Sequence, residues 1–222
     1  EINAFLEIEK NFIGKVILAF LDWSREDQPA VVMWDIDETM GNMNISLDKI
    51  SKQSIYTWLF RLYFLEFLEF LKNTFPQIKM GILTSRSREA LELQLKDQTQ
   101  LGLLAKYLNS EFIKSTDELE NFLNLKNTLP KVLRENDQKC TLARDIYGNL
   151  WEECRGLSKG CLSKLTMLSL IRSEGVNAKL IDDLLGIEPV CTDPYLQGNN
   201  ALGVNAEKPR RLGKFKKAEG DV

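Results

Sequence analysis

Histidine is the most informative absence from this 222-residue chain, which contains none. Its absence excludes a Ser-His-Asp triad, a Cys-His pair and most zinc sites as the basis of any activity. Cysteine is also scarce: the chain has four, with no CxxC pair and no recognisable disulfide pattern. Such cysteines are typical of buried thiols in a reducing compartment, so we expect a cytoplasmic protein. A targeting signal ahead of Glu1 stays open as an alternative.

A long uncharged apolar run and a strong net charge are missing as well. The aromatic-rich stretch at residues 55–72 is interrupted by Arg61, Glu66 and Glu69, so it is too short and too charged to span a bilayer. The formal net charge of −3 gives no reason to expect a nucleic-acid partner. With 44% hydrophobic and 27% charged residues, the composition is that of an ordinary globular protein.

Apolar runs rich in β-branched residues predict buried parallel strands that alternate with helices. The predicted strands cover residues 30–34, 78–83 and 178–181, with shorter strand signals at 55–60 and 110–115. The predicted helices cover residues 3–21, 62–73 and 87–97, and residues 40–44 are predicted to form a loop. This alternation predicts an α/β fold with a parallel sheet flanked by helices.

A β-hairpin is predicted at residues 140–154, because Tyr147-Gly148-Asn149 supplies a turn between two short alternating runs. The chain as a whole is predicted to form one domain over residues 1–206, followed by a basic tail over residues 207–222.

Two aspartates stand directly after the first predicted strand. Asp35 and Asp37 lie two residues apart where an apolar strand becomes a loop. Both would be partly desolvated there, and they would repel each other unless a cation neutralised them. Ligands of open α/β sheets bind outside the carboxyl ends of the strands, where these acids fall. The pattern therefore favours an oxygen-ligand metal site over a polar loop of helix-capping acids.

The ends of the other two strands carry groups that suit the same site. Thr84 ends the second strand, and Asp182 and Asp183 end the third. Asp35, Asp37 and Asp183 together offer the oxygen ligands that Mg²⁺ prefers. A lysine lying between these acids and a phosphate would neutralise both, which is a role for Lys159 or Lys164.

The order of these motifs resembles the haloacid dehalogenase (HAD) superfamily. Its four motifs match Asp35-Ile36-Asp37-Glu38-Thr39, Thr84 at a strand end, Lys159, and Asp182-Asp183. Several details are similar to the subgroup that dephosphorylates the carboxy-terminal domain of RNA polymerase. Those details are the Asp-x-Asp-Glu-Thr form, Glu66-Phe67-Leu68, and the predicted hairpin followed by Gly156-Leu157-Ser158-Lys159. The last similarity favours Lys159 over Lys164.

The resemblance implies a HAD-like (Rossmann-like) fold and a Mg²⁺-dependent phosphatase. Asp35 would be the nucleophile that forms an aspartyl-phosphate, and Asp37 the general acid and then the general base. Thr84 and Lys159 would hold the transferring phosphoryl group. The metal would be bound by the carboxylates of Asp35 and Asp183 and the main-chain carbonyl of Asp37, with Asp182 orienting the lysine or a metal-bound water.

The substrate is the most open part of this prediction. The long interval between Thr84 and Lys159 implies a helical insert at about residues 98–136, so residues 98–155 hold the insert and the hairpin rather than a large cap. A shallow cleft of this kind favours a phosphorylated protein, on tyrosine or on serine and threonine. The alternatives are a small phosphorylated metabolite, with residues 98–136 as a lid, or a catalytically weak HAD-like binding module.

Overall fold

A five-stranded parallel sheet is the centre of the fold. The computed structural model describes residues 2–47, 50–52, 54–97, 100–119, 138–153, 157–183 and 200–204. In chain order the elements are α1 (Ile2–Trp23), β1 (Val31–Trp34), β2 (Gly41–Leu47), β3 (Ser54–Phe60), α2 (Phe64–Thr74), β4 (Lys79–Thr84), α3 (Arg88–Lys96), β5 (Ile113–Ser115), α4 (Gln138–Glu153), α5 (Lys159–Ser173), β6 (Ala178–Asp182) and β7 (Ala201–Gly203). Short 3₁₀ helices cover Leu101–Lys106 and Ser110–Phe112.

The sheet has the order β5-β4-β1-β6-β7, with every pairing parallel. β1 is central, and its last residue, Trp34, is paired with Ile82 on one side and Ile181 on the other. The carboxyl ends of β1, β4 and β6 therefore meet at one edge, as the three predicted strands require. The expectation of a parallel α/β sheet flanked by helices is confirmed.

Side chains of β1 alternate between two hydrophobic cores, one on each face of the sheet. Val32 and Trp34 pack with α1 and α2, whereas Val31 and Met33 pack with α4 and α5. Because both faces are covered, all four residues of β1 are buried, which accounts for its unbroken apolar sequence.

The amino-terminal helix α1 covers one face of the sheet. It buries Phe12, Val16, Phe20 and Trp23, whose spacing of four, four and three residues places them on one side of the helix. None of the helices in the described ranges has the length and apolarity needed to cross a bilayer.

A hairpin is present, but not where the sequence indicated it. β2 and β3 form an antiparallel pair separate from the main sheet, so the predicted loop at residues 40–44 is largely strand. The predicted hairpin at 140–154 is wrong, because residues 138–153 form the helix α4. Gly148 lies on the exposed side of α4, where no side chain is needed for packing, so the helix accommodates this turn residue.

The region between β4 and α4 contributes to the main sheet. β5 pairs with β4 through Ile82–Ile113 to Thr84–Ser115, so the predicted insert at 98–136 includes one strand of the core. Residues 98–99 and 120–136 of that predicted insert lie outside the described residues, as does the predicted basic tail at 207–222.

Candidate metal and catalytic site

The site begins where β1 and β6 end side by side. The amide of Asp35 donates to the carbonyl of Ile181 at 2.9 Å, which extends the strand pairing by one residue. Asp182 is the last residue of β6 and Asp183 follows it. Sequence spacing predicted this convergence, because parallel strands with matched register deliver their carboxyl ends to the same edge.

Three aspartates form a compact carboxylate cluster within the described part of the chain. One carboxylate oxygen from each of Asp35, Asp182 and Asp183 lies within 4.8 Å of the others. All three side chains are buried, and Asp182 is inaccessible to solvent. Like charges this close in a desolvated setting repel strongly, so the fold must supply compensating positive charge.

Lys164 supplies part of that charge from the second turn of α5. Its Nζ lies 2.9 Å from Oδ1 of Asp35 and 2.5 Å from Oδ2 of Asp182. The lysine side chain is 4% exposed. Burial by itself would lower the pKa of Lys164, but the charges of Asp35 and Asp182 outweigh it and raise that pKa above its usual value. Lys164 is therefore a fixed cation in this cluster.

One lysine does not neutralise three acids. Burial, opposed by Lys164 and reinforced by Asp182, raises the pKa of Asp35 to about 6. Burial and the charges of Asp182, Asp35 and Glu38 raise the pKa of Asp183 to about 8. At neutral pH the metal-free cluster therefore holds a proton on Asp183, the acid that Lys164 does not contact directly.

A divalent cation fits this donor set. Asp35, Asp182 and Asp183 carry three negative charges when ionised, and Lys164 carries one positive charge, which leaves a deficit of two. The donors are all carboxylate oxygens, the ligands of hard cations such as Mg²⁺ and Ca²⁺. A cation bound here would take the place of the proton on Asp183.

Thr39 connects the loop after β1 to the cluster. Its hydroxyl accepts a hydrogen bond from the amide of Asp183 at 2.9 Å. The same Oγ1 lies 3.4 Å from Oδ2 of Asp35 and 3.5 Å from Oδ1 of Asp183, so its proton is available to either carboxylate. The sequence interpretation placed Thr39 only within the motif, and its contact with the distant Asp183 required the fold.

Asp37 is held by Arg86 at the rim of the site. Arg86 donates from Nε to Oδ2 of Asp37 at 2.8 Å and from Nη2 to Oδ1 at 2.5 Å, a bidentate pair. Arg86 also contacts Gln94, and its guanidinium carbon lies 5.1 Å from the centre of the Trp58 ring. The Asp37 side chain is 47% exposed, unlike the buried carboxylate cluster.

Thr84 and Lys159 occupy different positions relative to the cluster. Thr84 is buried at the end of β4, next to β1, and its hydroxyl accepts from the amide of Arg86 at 3.2 Å. Lys159 is exposed at the first residue of α5, whereas Lys164 lies against Asp35 and Asp182. Of the two lysines that the sequence offered, the structure brings Lys164 into the cluster.

A pocket of about 230 Å³ adjoins Arg86 on the side of the hairpin. Trp58 and Met43 of the hairpin form one wall, and Leu93 and Gln94 of α3 form another. Arg86 is thus shared between this pocket and Asp37. The sequence did not indicate the pocket, because one of its walls includes Met43 of β2, a segment that was predicted to form a loop.

The chain is thus an α/β protein with a buried carboxylate–lysine cluster at the carboxyl edge of a parallel sheet. Comparisons with known proteins add no assignment: the chain matches no family model, no curated protein and no solved structure.

Proposed function

We propose that this protein is a Mg²⁺-dependent phosphomonoester hydrolase that works through an aspartyl-phosphate on Asp35. The observation that supports this most directly is the deficit of two positive charges in a buried cluster of Asp35, Asp182, Asp183 and Lys164. Such a cluster is costly for a fold and suits a bound divalent cation together with an anionic substrate. The order of motifs that resembles HAD phosphatases supports the same reaction.

The first chemical step is attack by a carboxylate oxygen of Asp35 on phosphorus. The bond from Asp35 to phosphorus forms as the bond to the leaving oxygen breaks, and Asp37 gives that oxygen a proton. Lys164 orients Asp35 through its 2.9 Å contact and offsets negative charge beside it. Bound Mg²⁺ would be held by Asp35 and Asp183 and would supply the positive charge that lets a phosphate dianion approach a carboxylate.

The second step is hydrolysis of the aspartyl-phosphate by water. Asp37 takes a proton from the water, whose oxygen forms the new bond to phosphorus while the bond to Asp35 breaks. Arg86 can hold Asp37 during this step, because each carboxylate oxygen that accepts one bond from Arg86 keeps a second acceptor position. Phosphate and the regenerated Asp35 are the products.

A phosphorylated protein side chain is the substrate class that we favour. The pocket beside Arg86 has a volume of about 230 Å³, less than the roughly 300 Å³ at which typical small-molecule sites begin. A pocket of this size suits one side chain rather than a whole metabolite. Tyr147 and Trp151, expected on a hairpin, stack instead along α4, where Trp151 is 46% exposed and offers an aromatic surface.

The test is hydrolysis of an aryl phosphate with Mg²⁺ and with chelator, for the wild type and for Asp35→Asn. Asp35→Asn keeps the shape and removes the nucleophile, so turnover should fall to background. Asp22→Asn, at an exposed position on α1, is the matched control and should not change the rate. Asp35→Asn turnover within about tenfold of wild type, roughly 1.4 kcal/mol of barrier, would show that Asp35 is not the nucleophile.

The same assay tests the acid–base role of Asp37 and the class of substrate. Asp37→Asn should slow turnover by about 10² to 10⁴ and alter its pH dependence, because one residue serves both half-reactions. An unchanged pH profile would leave Asp37 without the acid–base role. Phosphopeptides should exceed phosphorylated metabolites in kcat/KM; a metabolite better by a hundredfold, about 2.7 kcal/mol, would overturn the protein-substrate proposal.

A further inference from the structure

A single arginine holds three consecutive carbonyl groups of the loop that follows Asp37. Nη2 of Arg61 donates to the carbonyl of Glu38 at 2.9 Å, and Nε donates to that of Thr39 at 2.7 Å. The backbone amide of Arg61 donates to the carbonyl of Met40 at 2.9 Å. Glu38 has a φ of 64°, a left-handed conformation that a glutamate rarely adopts and that needs support from its surroundings.

The remaining contact of Arg61 reaches across to α1. Its Nη1 donates to Oε1 of Glu9 at 2.9 Å, and both side chains are 10% exposed. The guanidinium carbon also lies 4.3 Å from the centre of the Phe12 ring. Glu9 lies on the buried side of α1 near Phe12, and its Oε2 has no hydrogen-bond partner among the described residues. The amino-terminal helix is thereby attached to the loop through one charged side chain.

Stability alone is a poor explanation for this Glu9–Arg61 pair. Buried ion pairs often contribute little net stability, and apolar residues of similar volume can replace them without loss. The pair does fix a position: it holds the carbonyl of Thr39, whose hydroxyl contacts the amide and carboxylate of Asp183 and the carboxylate of Asp35. A shift of this loop would displace Thr39 and so disturb both Asp35 and Asp183.

We propose that Arg61, oriented by Glu9, is a positioning residue for the catalytic loop: it acts through Thr39 on Asp35 and Asp183, and through the loop backbone on Asp37. This inference rests on the proposed function for its catalytic readout. It assigns to α1 a role in the reaction, although α1 supplies no residue to the carboxylate cluster.

Two changes separate positioning from stability. Arg61→Lys keeps the positive charge beside Glu9 but lacks the planar set of donors that reaches two carbonyls and a carboxylate together. Glu9→Met combined with Arg61→Met removes both charges and keeps apolar bulk. The matched control is Glu26→Gln combined with Lys179→Met, which removes a part-buried ion pair near the start of β6.

The readouts are kcat and KM for an aryl phosphate, Mn²⁺ affinity by calorimetry, and the free energy of unfolding in chelator. For Arg61→Lys we expect kcat to fall at least thirtyfold with little change in KM, and Mn²⁺ affinity to fall about tenfold. The double methionine variant should show the same losses in kcat and Mn²⁺ affinity, with a loss of unfolding free energy no larger than that of the control pair. The control pair should change stability and leave kcat and Mn²⁺ affinity within threefold.

The possible outcomes distinguish the proposed phosphatase function from the positioning role of Arg61. If wild type hydrolyses no phosphate ester, the proposed function fails, and Mn²⁺ affinity alone decides the role of Arg61. If wild type is active and the double methionine variant folds with kcat and Mn²⁺ affinity near wild type, the positioning role is overturned. The role is also overturned if Arg61→Lys and the control pair lose kcat and Mn²⁺ affinity in the same proportion to their loss of unfolding free energy. Should the double variant fail to fold, Arg61→Lys decides.

Discussion

Two buried lysines lie near opposite ends of β6, and their surroundings differ. Near the start of the strand, Lys179 contacts Glu26 at 2.7 Å and the side-chain oxygen of Asn200 at 2.8 Å. Burial lowers the pKa of Lys179, and Glu26 only partly offsets it. Near the other end, Lys164 contacts two carboxylates, and their charges raise its pKa.

The difference separates a structural ion pair from a cluster with an excess of negative charge, two more than its lysine neutralises when all three acids are ionised. Glu26 is 38% exposed, so water can solvate it when its partner is lost. Asp35, Asp182 and Asp183 are buried together and have one lysine in contact with two of them. Local pairing is sufficient for the first lysine, whereas the second belongs to a cluster that is completed by a further cation or a proton. An excess of buried charge, rather than the presence of an ion pair, is the feature on which the proposed function rests.

The largest difference in stability and turnover is expected between Lys164→Met and Lys179→Met. Lys164→Met leaves three buried carboxylates without a cation, so we expect about 3–5 kcal/mol of lost stability in chelator and turnover reduced by at least about 10². Lys179→Met should lower stability and leave kcat/KM within about threefold. Thermal unfolding and aryl phosphate hydrolysis measure the two effects. Lys159→Met is the companion variant: a large loss there, with Lys164→Met nearly unaffected, would return the catalytic role to Lys159.

The contributions of the two ends of β6 to stability should depend on pH with opposite sign. The pKa of Asp183 is raised to about 8 and that of Asp35 to about 6, so the folded metal-free protein binds more protons than the unfolded chain above pH 4. Stability in chelator should therefore fall as pH rises from about 4 to 8. We expect Tm to drop by at least about 4 °C between pH 5 and pH 8, which corresponds to roughly 2 kcal/mol or more.

Asp183→Asn is the control for that pH effect, because it removes the group with the most strongly raised pKa. In this variant Tm should change little between pH 5 and pH 8, and saturating Mg²⁺ should no longer stabilise the protein. A wild-type Tm that rises steadily with pH in chelator would contradict the assignment of an acid excess to this cluster.

The smallest effect is expected at the amino end of the sheet. The pKa of Glu26 is lowered, because hydrogen bonds from Lys179 and Asn177 outweigh the opposite effect of burial. Its contribution is present at neutral pH and lost as pH falls through that lowered pKa. Glu26→Gln should cost about 1 kcal/mol at pH 7, converge with wild type in acid once Glu26 is protonated, and respond identically with and without Mg²⁺. A dependence on Mg²⁺ would show that the two ends are coupled.

The two strands that carry the acids, β1 and β6, could be predicted because their signal is local. Each is a short apolar run that ends in a polar residue, and a parallel register then brings Asp35, Asp182 and Asp183 together without further information. Thr84 followed from the same rule on β4. These groups depend on the sheet alone, and the sheet was readable from hydrophobic pattern.

The errors fell where local signals conflict with tertiary packing. In α4 the turn-forming Tyr147-Gly148-Asn149 concealed a helix, although Ala143, Ile146 and Leu150 are buried at helical spacing and would have indicated it. β2 has the sequence GNMNISL, in which Met43, Ile45 and Leu47 alternate with polar residues as in a strand, but its glycine and asparagines are typical of a turn and concealed that pattern. In both segments turn-forming glycine and asparagine residues outweighed a periodicity that indicated the observed element.

The side chains that complete the site could not be derived from spacing. Lys164 and Lys159 lie on the same helix, and only the packing of α5 against the sheet brings one of them to Asp35. Arg61 interrupts an aromatic run in the sequence, where it gave evidence only against a membrane span. Its three carbonyl contacts and its contact with Glu9 depend on how β3, α1 and the loop after β1 come together.

The central position of β1 also has a consequence for the order in which the molecule is made. Among the described strands β1 is synthesised before the others, yet one of its two partners, β6, follows all of them except β7, and Thr39 and Asp183 are 144 residues apart in sequence. At about 5–20 residues per second, a ribosome needs roughly 7–30 s to cover that interval. Throughout that time a fully apolar strand has one unpaired edge, which is a hazard for aggregation. The nascent chain is therefore most in need of protection before β6 emerges, and no fragment that ends short of β6 can contain the site.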